Sequence, residues 1–321
     1  MTAELLENVF LPAYTNPLLE QGNDQAVFSV EGSRLAFTTD AFVVKPLFFP
    51  GGDIGRLAVN GTVNDLAMGG ARPLYLSASF ILEEGFAISD LQRVVSSMSA
   101  AARAAGVDIV TGDTKVVERG HGDGVYINTS GVGLVEHNLN LSSNQAQPGD
   151  RIIASGPVGD HGMAVLAHRE GLGFETPIES DTAALHELVA AMLSASNGIR
   201  CLRDPTRGGL ATTLNEIATS SEVGMELDET AIPIREPVAG LCELLGLDPL
   251  YVACEGRLVA IVRADDADAL VSAMQANPLG EQAAVVGDVV ADHKNTVVMR
   301  TCVGGTRIVD VLSGEQLPRI C

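Results

Sequence analysis

The alternation of apolar and polar positions divides the chain into short strands and amphipathic helices. Val27-Phe28-Ser29-Val30 and Arg34-Leu35-Ala36-Phe37-Thr38-Thr39 read as two strands about a Glu31-Gly32 turn. A helix is expected from about Ile54 to Met68, after the Pro50-Gly51-Gly52-Asp53 loop, with Gly69-Gly70 and Pro73 ending it. Leu74 to Leu82 reads as a strand. Ser89 and Gln92 spell a capping box for the next helix, in which Leu91, Val94, Val95 and Met98 form one stripe and Gly106 closes the element. Val107-Asp108-Ile109-Val110 is a strand expected to give way to a loop, and Val125 to Val135 is another strand. This order is α+β in character, with helices on one side of a sheet.

Gln147-Pro148-Gly149-Asp150 is the clearest boundary, because a new strand, Arg151 to Ala154, starts directly after it. Helices are expected near 162–170, 182–196, 208–220 and 265–275. Tyr251 to Val262 is strand-like but interrupted by Glu255-Gly256, and two or three strands fill 284–311. The division is therefore 1–147, 148–311 and a C-terminal arm, 312–321, with Gly314, Pro318 and no periodicity. The stretch through about Leu19 reads as a weak helix or arm.

A length of 321 residues fits two domains, and 46% apolar residues suffice for two cores. Aromatics are scarce and tryptophan is absent, so those cores are aliphatic. The 20 basic and 41 acidic residues leave a net charge of −21, which disfavours nucleic acid and anionic lipid as partners. It also repels nucleotide phosphates, so bound ATP would need local cations, most simply Mg²⁺ on carboxylates. The first ten residues lack the basic region and apolar core of a signal peptide, and no apolar run approaches membrane-spanning length. The five cysteines are widely spaced with no CxxC pair, which fits a reducing cytoplasm.

Neither GxxxxGK[ST] nor a GxGxxG after a strand is present, so a bound nucleotide would use another cradle. Acids sit instead where strands end or helices turn. Asp24 precedes a strand in Gly22-Asn23-Asp24-Gln25-Ala26, and Asp40 ends Thr38-Thr39-Asp40. Asn64-Asp65 lies near a helix C-terminus, where the dipole opposes a carboxylate by ~0.3–1 kcal/mol, a penalty that a cation would offset. Gly112-Asp113-Thr114-Lys115 follows an apolar strand, a common place for ligands in α/β folds. Each acid alone reads first as a turn or cap residue. Together, Asp24, Asp40, Asp65 and Asp113 point to a divalent-metal and phosphate site, with Lys115 as a point charge on phosphate. An exposed loop lysine is the plainer alternative.

Asp204-Pro205-Thr206-Arg207-Gly208-Gly209-Leu210 precedes an apolar helix, and its glycines permit either close approach of an anion or tight packing. Ser155 to Gly162 is a glycine-rich strand-to-helix loop, by itself a weak signal. Glu255 lies in an apolar stretch beside Cys254 and Gly256. Buried there, its carboxyl would have a raised pKa suited to a general base or acid; turned outward, it would be a bulge. Cys321 is the last residue, so it cannot be a prenylation site. A thiol at the end of an arm can enter a pocket or leave it, since ten extended residues reach roughly 33–36 Å, and the thiolate is a nucleophile.

These pieces resemble one family. PGGDIGRLAVNGTVNDLAMGGARPLYLS (50–77), GDTKVV (112–117), GDHGMAVL (159–166), DPTRGGLATTLNE (204–216), ACEG (253–256) and PRIC (318–321) look like the HypE family of hydrogenase maturation factors. That family belongs to the superfamily of aminoimidazole ribonucleotide synthetase (PurM-like) and selenophosphate synthetase. One departure is Asn23-Asp24, where the superfamily usually carries two aspartates.

The resemblance implies a two-domain PurM-like fold whose N-terminal sheet joins a second copy in a barrel, followed by an α/β domain and a mobile tail. It implies ATP and Mg²⁺, with metal contacts from Asp24, Asp40, Asp65 and Asp113. Nucleotide contacts would come from Thr39, Asn64, Gly112, Thr114, Lys115, Arg207, Gly208 and Gly209. It further implies that the carbamoyltransferase HypF loads a carbamoyl group on Cys321. ATP-dependent dehydration, with Glu255 as base and Lys115 on phosphate, would then give a thiocyanate. Its cyanide would pass to iron on a scaffold of HypC and HypD for [NiFe]-hydrogenase. Two other readings compete: a related synthetase or kinase acting on a small molecule, and a passive thiol carrier.

Overall fold

The computed structural model describes residues 6–14, 16–172, 178–311 and 317–321. The first half builds on strands β1 (Ala26–Val30), β2 (Ser33–Phe42), β5 (Ala71–Glu83), β6 (Asp108–Val117) and β7 (Val125–Val135). A two-residue ribbon of β3 (Phe48–Phe49) and β4 (Gly52–Asp53) precedes helix α1 (Ile54–Met68), and α2 (Ile88–Ala104) connects β5 to β6. The sheet order is β1-β2-β7-β5-β6, antiparallel except for β5–β6.

Asp53 starts α1, accepting from the backbone N–H of Gly55 (2.7 Å) and Arg56 (3.1 Å). The helix packs on β2, β7 and α2. Phe42, Ile54, Leu57, Val63, Leu76, Met98 and Ile127 fill the space between. As expected, both helices lie on one face. The other face exposes Phe37, Tyr75 and Ile81.

The second half is a seven-stranded sheet in the order β14-β13-β10-β12-β8-β11-β9. Its strands are β8 (Arg151–Ala154), β9 (Ile199–Arg203), β10 (Gly224–Asp228), β11 (Val259–Val262), β12 (Ala284–Val290), β13 (Thr296–Arg300) and β14 (Thr306–Val309). Its helices are α3 (Asp160–Arg169), α4 (His186–Ala195), α5 (Gly209–Ser221), α6 (Glu236–Leu245) and α7 (Ala267–Gln275). Alternation along β8 places Ile152 and Ala154 in the core beneath α5, and Ile153 in the core beneath α4 and α7. Helices thus cover both faces of this sheet.

Four expectations shift. Helix α2 begins at Ile88 after Ala87, without a side-chain cap, so Ser89 sits inside the first turn rather than capping it. The polar run Gly112 to Lys115 is part of β6 rather than a loop, because β5 continues in parallel register beside it to Val117. Only Val259–Val262 of the 251–262 stretch is strand. Its earlier backbone is engaged elsewhere: Cys254 N donates to Pro205 O (3.0 Å), Glu255 N to Asp181 Oδ1 (3.0 Å), and Ala253 O accepts from Gly162 N (3.0 Å). Helix α4 starts at His186, not 182, because Leu185 N donates to the Asn64 side chain (2.8 Å). Part of the predicted arm, 312–316, lies outside the described residues. Its end, 317–321, is docked rather than extended away.

Candidate active site

Asp40 ends the polar run of β2, Asp65 projects from the last turn of α1, and Asp204 follows β9. Asp24 precedes β1, and Glu255 lies in the irregular stretch before β11. Folding brings these five acids into one electrostatic neighbourhood. Burial raises the Asp65 pKa well above its ordinary value, and Asp204, Asp24 and Asp40 push it further. Burial, with Asp24 and Asp40, pushes Asp204 up to about 8. Burial pushes Asp24 up to about 6 despite Arg203. Burial also raises Asp40, against the charge of Arg207.

Glu255 is 3% exposed, and its carboxyl is raised well above the usual range by burial, then by Asp204, Asp181 and Asp40. Arg203 bridges Asp24 (2.8 Å) and Glu216 (2.9 Å), tying the two halves together. Thr38 Oγ1 lies 2.8 Å from Asp65 Oδ2 and 2.9 Å from the Asp24 carbonyl.

The donor set suits a hard divalent cation. Asp24 Oδ2 and Glu255 Oε1 are buried without a hydrogen-bond partner, and carboxylate oxygens are the preferred ligands of Mg²⁺. Among the described residues, no three Asp, Glu, His or Cys side chains converge into a ready-made metal site. The arrangement therefore fits a cation completed by phosphate oxygens, since Mg²⁺ commonly takes only one or two carboxylates beside its substrate.

The other predicted residues divide. Arg207 is close enough to Asp40 to lower its pKa. Gly208, just before α5, and Gly209, its first residue, adopt φ of +80° and +60°. A Cβ on Gly209 would meet the carbonyls of Leu250 (2.6 Å) and Val252 (2.7 Å), so this glycine permits packing of the chain itself. Thr39 is exposed on β2 and accepts from Ser130 Oγ (2.9 Å).

Asn64 lies between Asp65 and the second half of the chain. It is 1% exposed, and its amide is spent on Ala183 O (3.0 Å), Glu255 O (3.3 Å) and Leu185 N (2.8 Å). It braces the Glu255 loop. Gly112, Asp113, Thr114 and Lys115 do not join the acids within one chain. They lie on the exposed edge strand β6, separated from β2 by β5 and β7. There Lys115 Nζ pairs with Asp113 Oδ2 at 2.6 Å, which lowers the Asp113 pKa.

Cys321 is docked. Val43 N donates to its terminal carboxylate (2.9 Å), and Lys45 N donates to Arg319 O (3.1 Å), so the tail pairs with the chain just beyond β2 and Asp40. Ile320 is buried, and Cys321 packs against the first core.

Sequence reasoning did not single out Asp204, Arg203 or Asp181. The DPTRGG stretch already contained the signal for Asp204, an acid directly after an apolar strand. Nothing local marked Asp181, whose role depends on the distant Glu255 loop.

The N-terminal domain of the AIR synthase related protein family matches residues 22–135, and the C-terminal domain of that family matches 147–300. A carbamoyl dehydratase HypE of Azotobacter vinelandii is 62% identical over 318 residues, covering 99% of this chain and 93% of that relative. The chain belongs to the HypE family. A solved HypE–HypF complex contains a chain of TM-score 0.91 and 47% identity, covering 96% of this chain and 99% of that one. A HypE structure in complex with ATP matches at TM-score 0.87 and 49% identity, covering 100% and 96%. The two-domain PurM-like architecture is thus common to this chain and solved HypE structures. No described helix is long and apolar enough to cross a membrane.

Proposed function

We propose that this chain uses ATP to dehydrate an S-carbamoyl group carried on Cys321, giving an S-cyanate for the iron centre of [NiFe]-hydrogenase. The observation that carries the reading is the docked Cys321, anchored through Val43 beside the strand end that bears Asp40. The carbamoyl oxygen is a poor leaving group. Transfer of the γ-phosphoryl group of ATP to it gives ADP and converts it to a good one. Two nitrogen protons are then lost, the C–O bond breaks, phosphate departs and the C≡N bond forms. The balance is S–C(=O)NH₂ + ATP → S–C≡N + ADP + phosphate.

Glu255 is the base for the carbamoyl nitrogen, supported by its burial and raised pKa. One or two of Asp40, Asp65, Asp24 and Asp204 would hold Mg²⁺, which would neutralise charge on the transferring phosphoryl group. Arg207 and the Gly208 backbone approach the phosphates.

A homodimer is part of this reading. The unpaired β6 edge and the exposed Ile109 (39%), Val110 (59%) and Val116 (66%) support it. The dimer gives Asp113, Thr114 and Lys115 a site to complete, the one formed by the acids of the second copy. Likeness to the chain in a HypE–HypF complex supports HypF as the loading partner. HypC and HypD as acceptors and the cytoplasm as the compartment complete the proposal.

Cys321→Ser should abolish ATP consumption that depends on carbamoyl donor and HypF, measured as released phosphate. Continued turnover in that variant would point to a small-molecule substrate instead.

A further inference from the structure

The tail is held mainly through its backbone. Arg169, at the C-terminal end of α3, donates from Nη1 to Pro318 O (2.9 Å), from Nη2 to Arg319 O (2.7 Å) and from Nε to Lys45 O (2.7 Å). In the first turn of the same helix, His161 Nε2 lies 2.7 Å from Ile320 O. With the Val43 contact to the Cys321 carboxylate, every carbonyl from Pro318 to Ile320 and the terminal carboxylate have a donor.

A carbonyl only accepts, so His161 carries its proton on Nε2. Its Nδ1 is 2.8 Å from Ser180 Oγ, which orients the ring from behind, and Phe49 meets the ring edge-on at 5.4 Å. Burial lowers the His161 pKa, consistent with the neutral form. Asp123 adds a second tie, lying 3.1 Å from Arg319 Nε and 3.5 Å from Lys45 Nζ.

We propose that Arg169 and His161, at opposite ends of α3, form a latch that positions Cys321 in the active site and must open before the thiol reaches another protein. They are positioning residues. Their donors read the tail backbone, so the latch closes on the chain whichever group the sulfur carries. This rests on the dehydratase reading for its purpose, though not for its geometry. Loading of Cys321 by a partner needs the open state, whereas dehydration needs the closed one. Loosening the latch should therefore slow dehydration without slowing loading.

The test compares wild type, Arg169→Ala, Arg169→Lys and His161→Phe. Iodoacetamide labelling of Cys321 is read on the terminal peptide, relative to the exposed Cys302 of the same molecule. Hydrogen bonds from a charged donor shift such an equilibrium by roughly 10–100-fold. Arg169→Ala should therefore raise the Cys321:Cys302 ratio by about tenfold or more, with Arg169→Lys and His161→Phe between it and wild type. Buried Cys201 reports unfolding, and any variant that labels there is read from the others. An unchanged ratio in folded variants overturns the latch.

Labelling needs neither ATP nor a carbamoyl group, so it fails or succeeds apart from the dehydratase reading. The second readout separates latch from scaffold. In Arg169→Ala, single-turnover dehydration should slow while carbamoylation by HypF is unchanged or faster. Equal slowing of both would mean that Arg169 only supports the fold.

Discussion

Replacing Glu255 by glutamine should slow dehydration of the carbamoylated protein by about 10²–10⁴-fold, the usual contribution of a positioned base. The side chain is buried, and its backbone N–H donates to Asp181 Oδ1 at 3.0 Å while Asn64 holds its carbonyl. The loop therefore keeps its place when the charge is removed. Glutamine matches glutamate in shape but cannot take a proton from the carbamoyl nitrogen. Carbamoylation by HypF should be unaffected. Removing a carboxyl that burial and neighbouring acids hold at high pKa should leave thermal stability equal or greater. In wild type, the rate should rise with pH as Glu255 ionises, and this limb should vanish in Glu255→Gln. Full activity in the variant would exclude Glu255 as the base.

The acid cluster predicts an unusual dependence of stability on pH. Asp24 and Asp204 titrate near 6 and 8 in the folded protein, both raised from 3.8. A raised folded pKa means that the native state holds protons which the unfolded chain has released. The contribution is fully present below 3.8 and is lost as pH rises through about 6 and then about 8. Metal-free protein should therefore melt at a lower temperature at about pH 9 than at about pH 5, by about 2–4 °C for each kcal/mol lost. Millimolar Mg²⁺ should reverse much of the loss at high pH, because a cation replaces the missing protons. Asp204→Asn should flatten both the pH slope and the Mg²⁺ response. Calorimetry across pH, with and without Mg²⁺, checks each outcome. A melting temperature that rises with pH in metal-free buffer would contradict the clustered acids.

Much of the fold was legible because period and punctuation agree locally. Helix α1 is bounded by Asp53 and Gly69-Gly70, and both signals act within a few residues. Ends set by distant partners were not legible. Leu185 N is taken by Asn64, which withholds the expected first turn of α4, and β5 pairing draws the polar Gly112–Lys115 run into a strand.

The site divides in the same way. Asp40, Asp65 and Glu255 stand out because a carboxyl in apolar or dipole-opposed surroundings is conspicuous in sequence. The partners of Asn64 were not legible: its neighbour Asp65 faces the cluster, whereas its own amide points toward the second half of the chain. The latch was invisible, since Arg169 and His161 bind carbonyls 149 to 159 residues away and backbone partners leave no mark in composition.

The most direct test is the intact mass of protein carbamoylated on Cys321, before and after addition of Mg-ATP. The account predicts the loss of one water, confined to the terminal peptide and absent without ATP. An unchanged mass at that peptide, with ATP still consumed, would contradict it.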